Sequence, residues 1–126
     1  MNVLLDTSVI VDLLRALPQA LAYARGFDEP PRCSEVSRIE VLRGVRSGER
    51  SVTERVLRSF RWVGIDEAIA RRAGEIGRAY RRSHPGIALA DLVIAATVQE
   101  LGLELATGNI KHFPMFKGLR APYEGP

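Results

Sequence analysis

Asp6, Glu40 and Asp91 are the side chains of this sequence best suited to chemistry. Asp91 lies in the otherwise apolar run Ile87-Ala88-Leu89-Ala90-Asp91-Leu92-Val93-Ile94-Ala95-Ala96, with no lysine or arginine within four residues. Asp6 follows Val3-Leu4-Leu5 and precedes Val9-Ile10-Val11. A carboxylate in such surroundings must be paired or must coordinate something, because an unpaired buried charge is very costly. Two of them converging at about 4 Å repel by ~4 kcal/mol at an effective dielectric of roughly 20. A divalent cation between them converts that repulsion into binding energy. Oxygen donors without a neighbouring Cys or His favour Mg²⁺, or Mn²⁺, over zinc.

Each acid alone also has a structural duty open to it. Asp6 fits a helix N-cap, and Ser37-x-x-Glu40 fits a capping box. Asp91 stands early in a helix, where the macrodipole favours a negative charge. Asn109, after Gly108, is an ordinary turn residue. The apolar settings of Asp6 and Asp91 tip the balance toward a shared metal site.

The elements that must position these residues follow from hydrophobic pattern. Val3-Leu4-Leu5 predicts a short buried strand that turns into a helix over Ser8 to Arg15. Arg32-Cys33-Ser34 predicts a second strand, and the helix after it should carry Ile39, Val41, Leu42 and Val45. A polar-faced helix is expected over Ser51 to Phe60 and a third strand over Trp62 to Ile65. Asp66 fits the N-cap of a long helix to about Arg82, with Ile69, Ala73, Ile76 and Tyr80 as its apolar stripe. A helix over Ala88 to Leu101 is apolar nearly all round, hence central, and stops at Gly102. Leu103 to Ala106 predicts the last strand. Short strands alternating with helices imply an α/β fold, a doubly wound, mostly parallel sheet with helices on both faces. Such sheets hold ligands beyond the carboxyl ends of their strands, where Asp6 and Asn109 fall.

The bulk properties are compatible with that reading. With 126 residues, 46% hydrophobic and 26% charged, the chain is expected to form one domain spanning residues 1–126. The lone Cys33 excludes an internal disulfide and is expected to be a small core residue. Pro30-Pro31 reads as a loop, and Pro122 to Pro126 as a frayed terminal segment. The sequence has neither a signal-peptide pattern nor an apolar stretch long enough for a membrane span, so a cytoplasmic location and no membrane partner are expected. The formal net charge is +3, and 16 of the 18 cationic residues are arginine, whose planar fork suits phosphate.

In four places the sequence resembles the PIN-domain ribonucleases, and within them the VapC toxins of VapBC toxin–antitoxin systems. Leu4-Leu5-Asp6-Thr7-Ser8-Val9-Ile10-Val11-Asp12 resembles the first acidic motif, and Ser37-Arg38-Ile39-Glu40-Val41-Leu42-Arg43-Gly44 the second. Ala90-Asp91-Leu92-Val93-Ile94-Ala95-Ala96-Thr97 is similar to the third, and Ala106-Thr107-Gly108-Asn109-Ile110-Lys111-His112-Phe113 to the fourth. The resemblance runs from residue 3 to about 119. It implies a PIN-like fold, a homodimer, Mg²⁺-dependent cleavage of RNA, and a cognate VapB-like antitoxin whose tail blocks the site. Asn109 stands where many relatives carry a fourth carboxylate, which leaves at most three formal negative charges.

On this reading the catalytic residues are Asp6, Glu40, Asp91 and Asn109. Asp6 and Asp91 bind the metal directly, Glu40 directly or through water. Asn109 holds a water or a carboxylate, and the Thr7 and Ser8 hydroxyls support the ligands from behind. Arg71, Arg78 and Arg82, near one helix face, with Lys111 and His112, are candidates for contacting RNA. A solvated helix face explains the arginines equally well, and His84 and His112 read as surface residues without a defined partner. Trp62 is expected in the core. A receiver domain would want adjacent acids after the first strand, and a haloacid-dehalogenase-type phosphatase an acid at Ser8, so neither fits. A PIN-like nuclease acting on DNA, or in RNA processing without a toxin role, is the closest alternative. A non-catalytic nucleic-acid or partner-binding module is the other, but the three carboxylates are intact.

Overall fold

The structure, a computed structural model, describes residues 2–125. Strand β1 (Val3–Leu5) is wholly buried, and its side chains alternate between two cores. Leu4 joins one with Ile69, Ala73, Ile76, Val93 to Ala96, Val98 and Phe113. Val3 and Leu5 join the other with Val9, Ile10, Cys33, Val41, Leu57 and Ala106. A strand apolar on both faces demands cover on both, which is the condition of a wound parallel sheet.

The other elements supply that cover. After β1 come α1 (Thr7–Leu14), α2 (Pro18–Arg25), β2 (Arg32–Ser34), α3 (Glu35–Gly44), a 3₁₀ turn (Ser47–Glu49), α4 (Arg50–Leu57) and β3 (Arg61–Val63). Then follow α5 (Glu67–Ala79), α6 (Leu89–Leu101), β4 (Glu104–Ala106) and a second 3₁₀ turn (Ile110–His112). The four strands pair in parallel in the order β3-β2-β1-β4. The expected α/β architecture is therefore present.

Helix α6 is central, as its composition predicts, with every residue from Val93 to Val98 buried. Within it Thr97 satisfies its hydroxyl on the Val93 carbonyl at 2.7 Å. Gly102 ends the helix at φ +62°, a left-handed conformation that glycine adopts without Cβ strain. Asp66 caps α5 through the Ile69 amide at 2.9 Å. Cys33 is buried, and burial pushes its thiol well above the ordinary range. Trp62, half-buried against the second core, donates Nε1–H to the Leu57 carbonyl and carries the Arg38 guanidinium 4.0 Å above its ring. Among the described residues no helix is long and apolar enough to cross a membrane.

Several local expectations are corrected. Helix α2 has no counterpart among the sequence expectations, since its apolar pattern is weak; Pro18 at its first position is the available signal. Ile39 points to solvent and Val45 lies beyond the end of α3, so only part of the expected apolar stripe there is buried. Helix α4 ends at Leu57 and α5 at Ala79, each three residues short of expectation. The terminal segment is not frayed at Tyr123, which packs against Tyr23 and donates its hydroxyl to Asp12 Oδ2 at 2.7 Å. Pro126 lies outside the described residues.

Ile94, fully buried within α6, should report on how tightly the core around Leu4 and Phe113 depends on that helix. Ile94→Ala is expected to cost about 2–5 kcal/mol, read as a lower urea midpoint at unchanged slope.

Candidate active site

Because the strands are parallel, their carboxyl ends share one edge of the sheet, with β1 flanked by β2 and β4. The chain leaving β1 enters α1, whose Val9 and Ile10 join one core, whereas the chain leaving β4 reaches Phe113 in the other. The two exits part over adjacent strand ends, which is where wound sheets form a ligand crevice.

Asp6 sits in that crevice, 3% exposed, with its amide extending the ladder to the Ala106 carbonyl at 2.8 Å. It occupies the N-cap position of α1, yet its side chain makes no capping bond. Its Oδ2 accepts instead from Ser8 Oγ at 2.8 Å and from Thr107 Oγ1 at 2.6 Å. Those hydroxyls in turn accept from the backbone amides of Gly108 at 3.2 Å and Asn109 at 2.9 Å. Two relays from the β4 exit loop thus converge on one carboxylate oxygen and fix its direction. Capping does not account for this aspartate.

The capping-box explanation of Glu40 fails as well. Ser34 caps α3, accepting from the Val36 amide at 3.1 Å, so Ser37 is already inside the helix and buried. Thr7 Oγ1 lies 2.8 Å from Ser37 Oγ and 2.6 Å from Glu40 Oε1. With one proton to give, Thr7 donates to the carboxylate and accepts from Ser37. Asp91 stands in the first turn of α6 with Oδ2 3.2 Å from His112 Nδ1. Burial, and then the negative charge of Asp6, raise the Asp91 carboxyl above the usual aspartate range; Glu40 adds to this and His112 opposes it.

All three acids, with Asn109, His112 and Arg15, line one cavity of about 430 Å³. They do not close into a cage. Among the described residues no three His, Cys, Asp or Glu side chains are gathered tightly enough to hold a metal ion as they stand. The tight convergence expected from the sequence is therefore loosened, because each acid is tied back to a different anchor. Oxygen donors spread around an open cavity still suit Mg²⁺ or Mn²⁺, which keep much of their own water. The electrostatic load on Asp91 is what a cation would relieve.

Of the proposed RNA contacts, His112 belongs to the site itself, and its pairing with Asp91 supplies the partner that local sequence did not show. Lys111 and His84 line an adjoining cavity. Arg71, Arg78 and Arg82 do not line the carboxylate cavity, and Arg71 is engaged by Glu67 at 2.8 Å on an exposed face. Arg72, beside them, is paired with Glu100. Sequence reasoning missed Thr107, Ser37, Asp12 and Arg15 as parts of the site. Helical spacing could have found two of them, since Asp12 and Arg15 recur four and seven residues after Ser8 on one face.

With this geometry in view, the chain matches the PIN domain family model over residues 3–114. It is 45% identical over 127 residues to Ribonuclease VapC10 of Mycobacterium tuberculosis, covering 98% of this chain and 95% of that protein. It is 42% identical over 123 residues to Ribonuclease VapC19 of the same organism, covering 95% and 98%. A toxin–antitoxin complex from Klebsiella pneumoniae contains a chain of the same fold, with TM-score 0.83 and 28% identity over 98% of this chain and 99% of that one.

A carboxyl whose pKa is raised by folding is a cost once ionised, and that cost appears as pH rises from the unfolded pKa through the folded one. Asp91→Asn is therefore expected to melt above the unaltered protein at pH 7 in EDTA. The gap should shrink below the ordinary aspartate pKa, where both side chains are neutral. Thermal unfolding at both pH values checks this, and a lower melting temperature for the variant at pH 7 would contradict it.

Proposed function

This chain belongs to the PIN-domain family, and on that premise we propose that it is a ribonuclease toxin cutting RNA phosphodiesters at the cavity walled by Asp6, Glu40 and Asp91. The observation that carries the reading is the fixing of Asp6 toward that cavity by hydroxyls from two separate strand exits. Helix capping needs no such apparatus. The names of the relatives, ribonucleases and a toxin–antitoxin complex, support the same activity and setting.

The chain's own groups then take distinct roles. Asp6 and Asp91 would hold a Mg²⁺ or Mn²⁺ ion, with Glu40 holding it directly or through water. Such an ion supplies positive charge for the phosphoryl oxygens and lowers the cost of ionising a water for in-line attack. Thr7 directs its proton to Glu40 Oε1, which keeps that carboxylate an acceptor able to orient the attacking water. His112 fixes the Asp91 carboxylate. Asn109, on the cavity wall, offers an amide to a water or a phosphate oxygen. Arg15 faces the same space and presents a planar fork to the strand's phosphate.

The same premise implies a VapB-like antitoxin as protein partner, a homodimer, a single domain and a cytoplasmic setting. Cleavage of DNA, or RNA processing outside a toxin role, uses the same cavity and is separated by substrate.

The test is cleavage of single-stranded RNA and single-stranded DNA by the unaltered protein, Asp6→Asn and Asp91→Asn, in Mg²⁺ and in EDTA. Losses of about 10²-fold or more on RNA are expected from either substitution or from chelation. Mg²⁺ is also expected to raise the melting temperature of the unaltered protein, by mass action on the folded state, and to do so less in both variants. Full RNA cleavage in EDTA would defeat the metal assignment, and a faster cut on DNA would replace RNA as the substrate.

A further inference from the structure

We propose that a second cavity, between His84 and Lys111, receives the nucleotide adjoining the bond that is cut; this rests on the RNA-cutting reading above. The cavity, of about 260 Å³, shares Ala88, Asp91 and His112 with the carboxylate cavity, so the two meet at the catalytic acid. A polynucleotide with a phosphate at Asp91 has its neighbouring residue within reach of this space.

The lining has the chemistry of a nucleotide site. Gly86, Ile87 and Ala88, the segment leading into α6, give it an apolar floor that suits a base and not a bare phosphate. His84 stands at its edge with its ring held from two sides. Tyr80 packs edge-on at 5.6 Å between centroids, and Nδ1 lies 2.9 Å from Ser83 Oγ. The backbone beneath is pinned by the His84 amide donating to the Tyr80 carbonyl at 2.8 Å. A fixed, exposed imidazole is a stacking platform for an unpaired base. Lys111, one residue before His112 in the same 3₁₀ turn, makes no salt bridge among the described residues, which leaves its ammonium for the backbone phosphate. A base can enter only if it is free of its own stack, so the cavity selects single-stranded or looped RNA.

The cavity gives His84, read from the sequence as a surface residue, a role beside Lys111, a candidate RNA contact. The arginines of α5 contribute nothing to this space. The strand is read on the α6 side of the cut.

The experiment uses the full chain in excess Mg²⁺ and a single-stranded RNA oligonucleotide with one cut position. Each nucleotide flanking the cut is replaced in turn by an abasic one. The unaltered protein is expected to lose about tenfold in kcat/KM at one flanking position, the size of one base–aromatic stack. His84→Ala is expected to lose about the same on the intact strand and almost nothing more on that abasic strand. His84→Phe, which keeps a ring, should restore most of the rate and the abasic sensitivity. Lys111→Met should flatten the salt dependence of log kcat/KM by about one contact's worth. Unaltered rates in His84→Ala, or losses that simply multiply with every abasic substitution, would overturn the subsite and leave the ribonuclease reading standing. An unaltered protein that cuts no RNA would remove both.

Discussion

The clamp on Asp6 is the interaction on which the rest of this architecture turns. A carboxylate at 3% exposure, set over the ends of β1 and β4, is tolerable only if it is hydrogen-bonded. Ser8 and Thr107 supply the donors, and the β4 exit loop supplies the amides that orient those hydroxyls. The consequence reaches beyond one side chain. The loop carrying Asn109, Lys111 and His112 is held against the start of α1 by the same bonds that hold Asp6. Strand pairing of β1 with β4 sets the coarse distance, and the hydroxyl relays set the direction.

A similar division of labour recurs at the other acids. Glu40 is delivered by α3, a helix whose cap at Ser34 is made independently of the site. Its fine placement comes through Thr7 and the buried Ser37. Asp91 is delivered by the buried central helix α6 and then restrained by His112 from the 3₁₀ turn. In each case the backbone element is fixed by core packing, and a hydroxyl or an imidazole aims the carboxylate. Among the described residues none of the three is paired with an arginine, so the negative charge stays available to the cavity.

Much of this was legible in the sequence, for identifiable reasons. Val3-Leu4-Leu5 before Asp6 and the all-round apolar α6 fix the sheet and its centre, because patterns that bury both faces leave few alternatives. The motifs around Asp6, Glu40, Asp91 and Asn109 marked the cavity's acids and its amide. What could not be read was anything set by tertiary contact. The pairing of Asp91 with His112 joins residues on different elements, and the Thr107 bond to Asp6 spans 101 positions of chain. Capping boxes are local, so Ser37 and Glu40 offered a plausible local story that the true cap at Ser34 displaces. The arginines of α5 illustrate the converse. Their spacing gives a real helical face, but spacing cannot say which way that face looks, and α5 packs on α6 with Ile69, Ala73 and Ile76 while Arg71 meets Glu67.

The position of Asp91 shows how the fold reconciles a core helix with a charged cavity. From Val93 to Val98 α6 is interior, where a carboxylate would be buried inside the core helix; two residues before that stretch the helix is still at the cavity. In that first turn the free amides and the macrodipole favour a negative charge. That benefit is partial, since burial and the neighbouring Asp6 still raise the Asp91 carboxyl. The imidazole of His112 moderates the remainder without cancelling it, because its side chain is half exposed and water screens the pair. A stronger partner, such as a buried arginine, would have stabilised the fold more and left less negative charge facing the cavity. The arrangement therefore leaves residual electrostatic strain at the one acid shared by both cavities, where a cation or an approaching cationic group gains most by entering.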